Sequence, residues 1–336
     1  MTARGAIIGF GVIAGGHVGG INQVPELEIA AVVDPAPARR EAARDAIPGV
    51  TAVSNIEKLS AGLDFIAICT PPVFHLDYIS YGLRAGLDVL CEKPLVISPA
   101  HAELVKSLVS RSRGFLMPCH NYRYAPSLRA LSDRLETRAG SKEPLTSHFR
   151  TLRTSHARGV SAWRPDWRRC PDISGGGIVW DHGPHSIYLA MALTDSYPAR
   201  VRCNLRRPAA GRFAESEEFA FIQLLFAEGS STYLELDWNA TIRQTSYLVS
   251  GSWGHCRVID DSLEWAVDGV VGASSIPSGF DDPAHTGWFA EVWREFLAAR
   301  ENRSIADRAL SPALLTVKVI DACYRSAANG GTWVEI

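Results

Sequence analysis

From its amino terminus the chain alternates short, wholly apolar runs with segments whose apolar residues recur every three to four positions. Residues 5–8, 27–33, 50–53, 63–69, 87–90 and 115–117 read as strands, most of them apolar enough to be buried on both faces. Between them, 36–46 and 73–85 read as helices, with Pro71-Pro72 ending a strand and opening the second helix. Ser98 is placed as the N-cap of a helix over 102–110. Strands alternating with helices predict a doubly wound parallel sheet covered on both faces.

After about residue 125 the texture changes. A helix over 126–136 precedes an alternating strand at 145–152, then a long loop rich in Arg and Trp, then a helix over 187–193. Strands follow in succession at 200–205, 219–226, 232–238, 246–250 and 256–259, and helices over 288–299 and 312–327 close the chain. Strands without intervening helices predict a large, mainly antiparallel, meander-like open sheet. The expected division is an α/β domain over 1–123 and an α+β domain over 124–336.

Composition narrows the function classes. A chain of 336 residues, 46% hydrophobic and 21% charged, fits a soluble globular protein of two domains. Its formal net charge of −2 makes no electrostatic case for nucleic acid or an anionic membrane, so a small-molecule ligand is expected. Met1-Thr2-Ala3-Arg4 runs into a strand without a signal-peptide layout, and no apolar run approaches a membrane span. The seven cysteines are scattered and never spaced CxxC, which favours reduced thiols in a cytoplasm over disulfides or a zinc site; no metal is expected.

The first strand leads into Gly9-Phe10-Gly11-Val12-Ile13-Ala14, a helix-like segment follows, and the second strand ends at Asp34, 25 residues after Gly9. Strand, glycine turn, helix, strand and acid together form a dinucleotide fingerprint. Gly9 permits the tight turn, Gly11 lets backbone N–H groups approach a pyrophosphate, and Ala14 lets helix and strand pack closely. Asp34 would accept from a ribose diol and repel a 2′-phosphate, so NAD is expected over NADP.

At the end of the strand over 87–90, Pro94 stops the ladder and turns Glu92-Lys93 outward, at the sheet edge where open α/β folds bind ligands. The plain alternative for Lys93 is a solvated surface lysine. Further on, Gly175-Gly176-Gly177 allows close backbone approach to a ligand, and Asp181 and His185, four apart, would share one helix face. An imidazole beside an acid suits general acid/base chemistry; the alternative is a helix-terminal acid and a buried, satisfied histidine. Pro184 either kinks that helix or marks its start, and His182, about 100° away around a helix, is the weaker candidate base. Arg150, Arg153, Arg158, Arg164, Arg168 and Arg169 with Trp163 and Trp167 suit the rim of a polyol pocket, or else a solvated basic loop. Trp180 is a further pocket candidate, whereas Trp238 is expected beneath the sheet.

On these residues, with Thr70-Pro71, His75 and Asn121-Tyr122-Arg123-Tyr124, the chain resembles over essentially its full length the glucose-fructose oxidoreductase / inositol dehydrogenase (Gfo/Idh/MocA) family of NAD(P)-dependent oxidoreductases. The resemblance implies a Rossmann domain, a second domain whose open sheet face joins a homodimer or homotetramer, and a closing helix, about 311–327, packed back near the first domain. It implies a cis Lys93–Pro94 peptide and assigns Lys93, Asp181 and His185 to the reacting alcohol beside the nicotinamide. Cofactor contacts carried over are Gly9, Phe10, Gly11, Val12, Ile13, Asp34, Cys69, Thr70, Pro71, His75, Glu92 and Lys93. Substrate contacts carried over are Lys93, Asn121, Arg123, Tyr124, Arg153, Trp163, Arg164, Asp181 and His185. The implied activity is a sugar or polyol dehydrogenase acting on a secondary alcohol of a sugar, cyclitol or sugar derivative, with an anionic one hinted at by the arginines. His185 would be the base, with an ordinary pKa of about 6.5, and Lys93 would stabilise the alkoxide. Two other roles occur in the family: a redox-neutral conversion through transient oxidation, and a non-catalytic NAD-binding regulator. The chain departs from the family's commoner pattern at Ala14 and at Asp181-His182-Gly183-Pro184-His185.

Overall fold

The computed structural model describes residues 2–136, 143–278 and 282–336. Its first sheet grows from β1 (Ala3–Ile8), α1 (Val12–Ile21), β2 (Leu27–Val33), α2 (Pro37–Ala46), β3 (Thr51–Val53), β4 (Phe65–Ile68), α3 (His75–Arg84), β5 (Asp88–Cys91), α4 (Pro99–Arg111) and β6 (Leu116–Pro118). The six strands are all parallel in the order β3-β2-β1-β4-β5-β6. Strand order reverses between β1 and β4, which opens a crevice at the carboxyl ends of those strands. Ser98 caps α4 by accepting from the His101 N–H.

The second unit comprises α5 (Pro126–Glu136), β7 (Thr146–Leu152), α6 (Pro171–Ser174), α7 (Ile178–Asp181), α8 (Gly183–Thr194), β8 (Pro198–Arg206), β9 (Phe219–Phe226), β10 (Ser231–Asp237), β11 (Gln244–Gly251), β12 (Gly254–Ile259), β13 (Ser262–Val267) and β14 (Val270–Ser275). Helices α9 (Thr286–Glu301) and α10 (Ser304–Ala328) and the short β15 (Val334–Glu335) end the chain. The sheet order is β14-β13-β12-β11-β7-β10-β9-β8-β15. It is antiparallel except where β7 and β10 pair in parallel, so it is a mixed sheet rather than a simple meander. Alternate residues of β7, β9 and β10 are buried beneath α8 and α10, while the opposite face stays open.

The largest differences from the sequence reading are in β13, β14 and α10. Strands β13 and β14 were not expected: they are short, β13 is half-buried and β14 mostly exposed, and they are joined by Asp268-Gly269 with both residues at positive φ. That dipeptide between two β-prone runs is a hairpin signal. Helix α10 starts well before Pro312 and runs through it, because Ala306, Ala309 and Leu310 bury on one side of the proline and Ala313 and Leu314 on the other. Trp238 is buried, as expected of a core residue.

Helix α9 lies late in the chain yet packs on the first sheet. Phe289, Trp293 and Phe296 are fully buried against His17, Phe65 and Phe115. Each ring contributes about 1.5–3 kcal/mol of burial. The approach is close: a Cβ at Gly16 would meet Phe289 at 2.5 Å, and one at Gly20 at 2.6 Å. In space, therefore, the first unit includes a helix from the 124–336 range. Helix α10 also reaches back, its Lys318 pairing with Glu103 of α4 at 2.9 Å.

Candidate active site

The cleft of about 550 Å³ begins at the carboxyl end of β1. Gly9 sits at φ +88°, where a Cβ would also strike Thr70 Cγ2 at 2.9 Å, so only glycine makes this turn without strain. The Asp34 carboxylate accepts from the Phe10 N–H (2.8 Å) and the Ala36 N–H (2.8 Å), which fixes it at the cleft edge. Each oxygen keeps a lone pair for a further donor. The Phe10 N–H is thereby turned away from any phosphate and its ring is buried, so Phe10 shapes the turn instead of lining the cleft. Gly11, Val12 and Ile13 do line it, at the amino end of α1 where N–H groups lack helical partners. A Cβ at Gly11 would meet nothing within 4 Å: the backbone there borders open space. These donors and Asp34 fit a dinucleotide's pyrophosphate and ribose. Arg39, which the sequence reading missed, lines the same end and donates to the Phe10 carbonyl at 2.6 Å.

Cys69, Thr70 and Pro71 form the next stretch of wall. His75 does not join them. It is buried, its Nδ1 2.9 Å from the Pro94 carbonyl and its Nε2 2.8 Å from that of Thr70, and burial holds the ring neutral against the pull of those carbonyls. It ties the loop after β4 to the segment after β5. Between them the Lys93–Pro94 peptide is cis.

Glu92 and Lys93 line the cleft from the end of β5. Behind Lys93, His17 Nε2 lies 3.0 Å from Glu92 Oε1, and Cys119 completes a buried cluster whose potential ligand atoms all fall within 4.8 Å of one another. The sequence showed no such cluster, because its members come from α1, β5 and the end of β6. Burial alone would raise the Glu92 carboxyl, but His17 and Lys93 outweigh it and hold it below its usual range. All seven cysteines are free thiols.

Lys93 Nζ donates to the Asp181 carbonyl at 2.7 Å and its carboxylate at 3.2 Å. Arg168 (3.4 Å) and His182 (3.7 Å) also face that carboxylate. Burial works against the Asp181 charge, but Lys93, then His182 and Arg168, hold the carboxyl well below the ordinary range. The expected pairing of Asp181 with His185 is not formed. The helix restarts at Gly183-Pro184, leaving Asp181 at the end of α7 and His185 in the first turn of α8. His185 instead stacks on Tyr122 with ring centroids 3.9 Å apart, its Nδ1 buried without a partner among the described residues. Burial, and then Lys93, push its pKa well down, so the ring is neutral.

The glycine run seats α7. A Cβ at Gly177 would meet the Glu217 carbonyl at 2.0 Å, and the Glu217 carboxylate accepts from the Gly177 and Val179 N–H groups and from Tyr324 of α10. Asn121, Arg153 and Trp163 line the cleft, and Trp163 meets Phe74 of the first unit at 6.2 Å between centroids. Arg123 and Tyr124 do not: both bind Glu295 of α9, at 3.0 and 2.5 Å. Arg164 also lies outside the lining. The sequence reading passed over Tyr122, Arg39 and Arg243 as contacts. Tyr122 stood inside a quoted motif, whereas Arg243 reaches the cleft from the loop before β11 and carried no signal.

A six-stranded parallel sheet with this crevice, facing a mixed sheet across a lysine, defines a two-domain, nicotinamide-dinucleotide-binding oxidoreductase. The chain belongs to the Gfo/Idh/MocA family: residues 3–120 match its oxidoreductase model with an NAD-binding Rossmann fold, and 146–257 match its C-terminal domain. Inositol 2-dehydrogenase of Rhizobium meliloti is 29% identical over 337 residues, covering 98% of each chain. An oxidoreductase of Formosa agariphila is 28% identical over 127 residues, 38% of this chain and 39% of that one. An oxidoreductase from Agrobacterium radiobacter, crystallised with NAD+, L-tartaric acid and magnesium, shares the fold at TM-score 0.87 and 20% identity, covering 100% of this chain and 98% of that one. Among the described residues no helix is long and apolar enough to cross a membrane.

Proposed function

We propose that this chain oxidises a secondary alcohol of a sugar, cyclitol or sugar derivative with NAD, His185 taking the hydroxyl proton and Lys93 stabilising the alkoxide. One observation carries the reading: Lys93 from β5 and His185 from α8 open into one cleft with the turn that fits the dinucleotide. The inositol dehydrogenase that the chain resembles end to end supports the substrate class. Bound NAD supplies a hydride acceptor at its nicotinamide. The chain supplies the rest. Lys93, fixed by Asp181, would set an ammonium beside the alcohol oxygen, where negative charge grows as the hydroxyl proton leaves and is given up again as the carbonyl forms. His185, kept neutral by burial and by Lys93, has a free site for the proton. Asp181 thus acts through Lys93 rather than through the imidazole.

A screen of polyols, sugars and sugar phosphates with NAD tests this: at least one should give a net rise in NADH absorbance. Product without net NADH would favour the redox-neutral cycle, and ligand-dependent partner binding with neither would favour the regulator. The NAD preference rests on Asp34, with Arg39 beside it. Asp34→Ser removes the carboxylate and leaves the cation, so the ratio of kcat/KM for NAD over NADP should fall by about tenfold or more, the effect of one charged contact. An unchanged ratio would place the selectivity elsewhere. The free thiols suit a reducing cytoplasm, and the open sheet face suits a homodimer or homotetramer.

A further inference from the structure

Resting on that reading, we infer that the substrate's polar anchor is a carboxylate, received by Arg153. Arg153 follows β7, is 9% exposed and lines the substrate half of the cleft. Its Nη1 donates to the Leu152 (2.8 Å) and Gln244 (3.1 Å) carbonyls and its Nη2 to Thr245 Oγ1 (3.0 Å). A guanidinium has five N–H donors, so Nε and the second hydrogen on Nη2 have no acceptor among the described residues. All three acceptors in use are uncharged, and no described carboxylate pairs with Arg153 within 4.0 Å. A buried guanidinium cannot shed its proton, so its counter-charge comes from outside the described residues.

The surroundings sharpen the need. Lys93, Arg168 and Arg243 line the same half of the cleft. Asp181 is already shared by Lys93, Arg168 and His182. Glu92 is tied to His17, and Asp260, which accepts from the Thr245 N–H, supports Arg243. A positively charged nicotinamide would add to this excess. Two remaining donors on one planar group match both oxygens of a carboxylate and leave none over, whereas a phosphoryl group, which the same fork can hold, keeps a third oxygen for other donors. The substrate class is therefore a uronate, aldonate or related sugar acid, with the oxidised carbinol toward Lys93 and His185.

The test uses the full chain with NAD and matched pairs: D-glucuronate and D-gluconate, their uncharged methyl esters or parent sugars, and D-glucose 6-phosphate. Binding to the NAD-loaded protein is measured by calorimetry and turnover by NADH formation. At least one acid should bind tenfold or more tighter than its ester, a preference that shrinks as salt is raised. Because Arg153 also ties β7 to β11, the wild-type acid–ester comparison needs no variant. Arg153→Lys, which keeps the charge but loses the planar fork, should raise KM for the acid more than for the ester. Equal binding of every acid and its ester, or tighter binding of the phosphate, would overturn the carboxylate assignment. Selective binding of an acid without NADH would leave that assignment standing and count against the oxidation proposed above.

Discussion

Replacing Lys93 by Met should lower kcat by about 10²–10³-fold while leaving NAD affinity within a few-fold. Methionine keeps most of the aliphatic stem and removes the ammonium, the group proposed to meet the alkoxide. Gly11, Val12 and Asp34, the dinucleotide contacts proposed, come from the turn after β1 and the end of β2 rather than from the segment after β5, so cofactor binding serves as the internal control for folding. Breaking a buried ion pair often destabilises a protein by several kcal/mol, because it strands the partner charge. Here Asp181 keeps Arg168 at 3.4 Å and His182 at 3.7 Å, so the folded protein should survive. Single-turnover rates with NAD bound give the cleanest measure. A mutant within tenfold of the parent would remove Lys93 from the chemistry.

Thermal stability should fall steeply on acidification, with Tm dropping by about 10 °C between pH 7 and pH 5. The cause is a set of buried histidines kept neutral by the fold. Burial lowers His120 and His182 to about 3, and lowers His185 well below its ordinary value. His75 shifts the same way. Below about pH 6.5 the unfolded chain protonates these rings while the native one does not, so the unfolded state binds more protons and stability falls with pH. Each fully divergent group contributes about 1.4 kcal/mol per pH unit, down to its native pKa. Asp181 and Glu92, held low, add loss of the same sign below their ordinary carboxyl values, whereas Glu217, raised by burial, opposes the histidines above its ordinary value of 4.5, where the native state binds the proton first. His120, with both ring nitrogens unpartnered among the described residues, is the cleanest probe: His120→Phe should flatten the slope. A Tm that stays level to pH 5 would mean these rings accept protons in the native state.

Local patterns carried much of the site because its key residues sit at element ends, where special backbone chemistry marks the chain. The turn from Gly9 to Asp34 is a contiguous supersecondary unit, so its spacing is legible. Lys93 was marked by the proline that stops its strand, and the glycine run by its unsuitability for a helix. Partnerships were harder. Asp181 was expected to serve His185 on a continuous helix, but Pro184 lacks an N–H and the helix restarts there. That left Asp181 free to meet Lys93 from the other unit. Arg123 and Tyr124 belonged to a recognisable run, yet their side chains turn to Glu295, whose helix lies some 170 residues onward.

By itself the sequence determined the two sheet types, the dinucleotide turn and the identity of the lysine and histidine that share the cleft. Each of these depends on period, glycine and proline over a few dozen residues, and such interactions are local. Tertiary structure alone decided that α9 returns to the first sheet, that His17, Glu92 and Cys119 meet behind Lys93, and that Arg153 keeps donors without an acidic partner among the described residues. Those outcomes depend on which surfaces become dry when two distant stretches pack. Burial and charge pairing act across space, and no spacing along the chain encodes them.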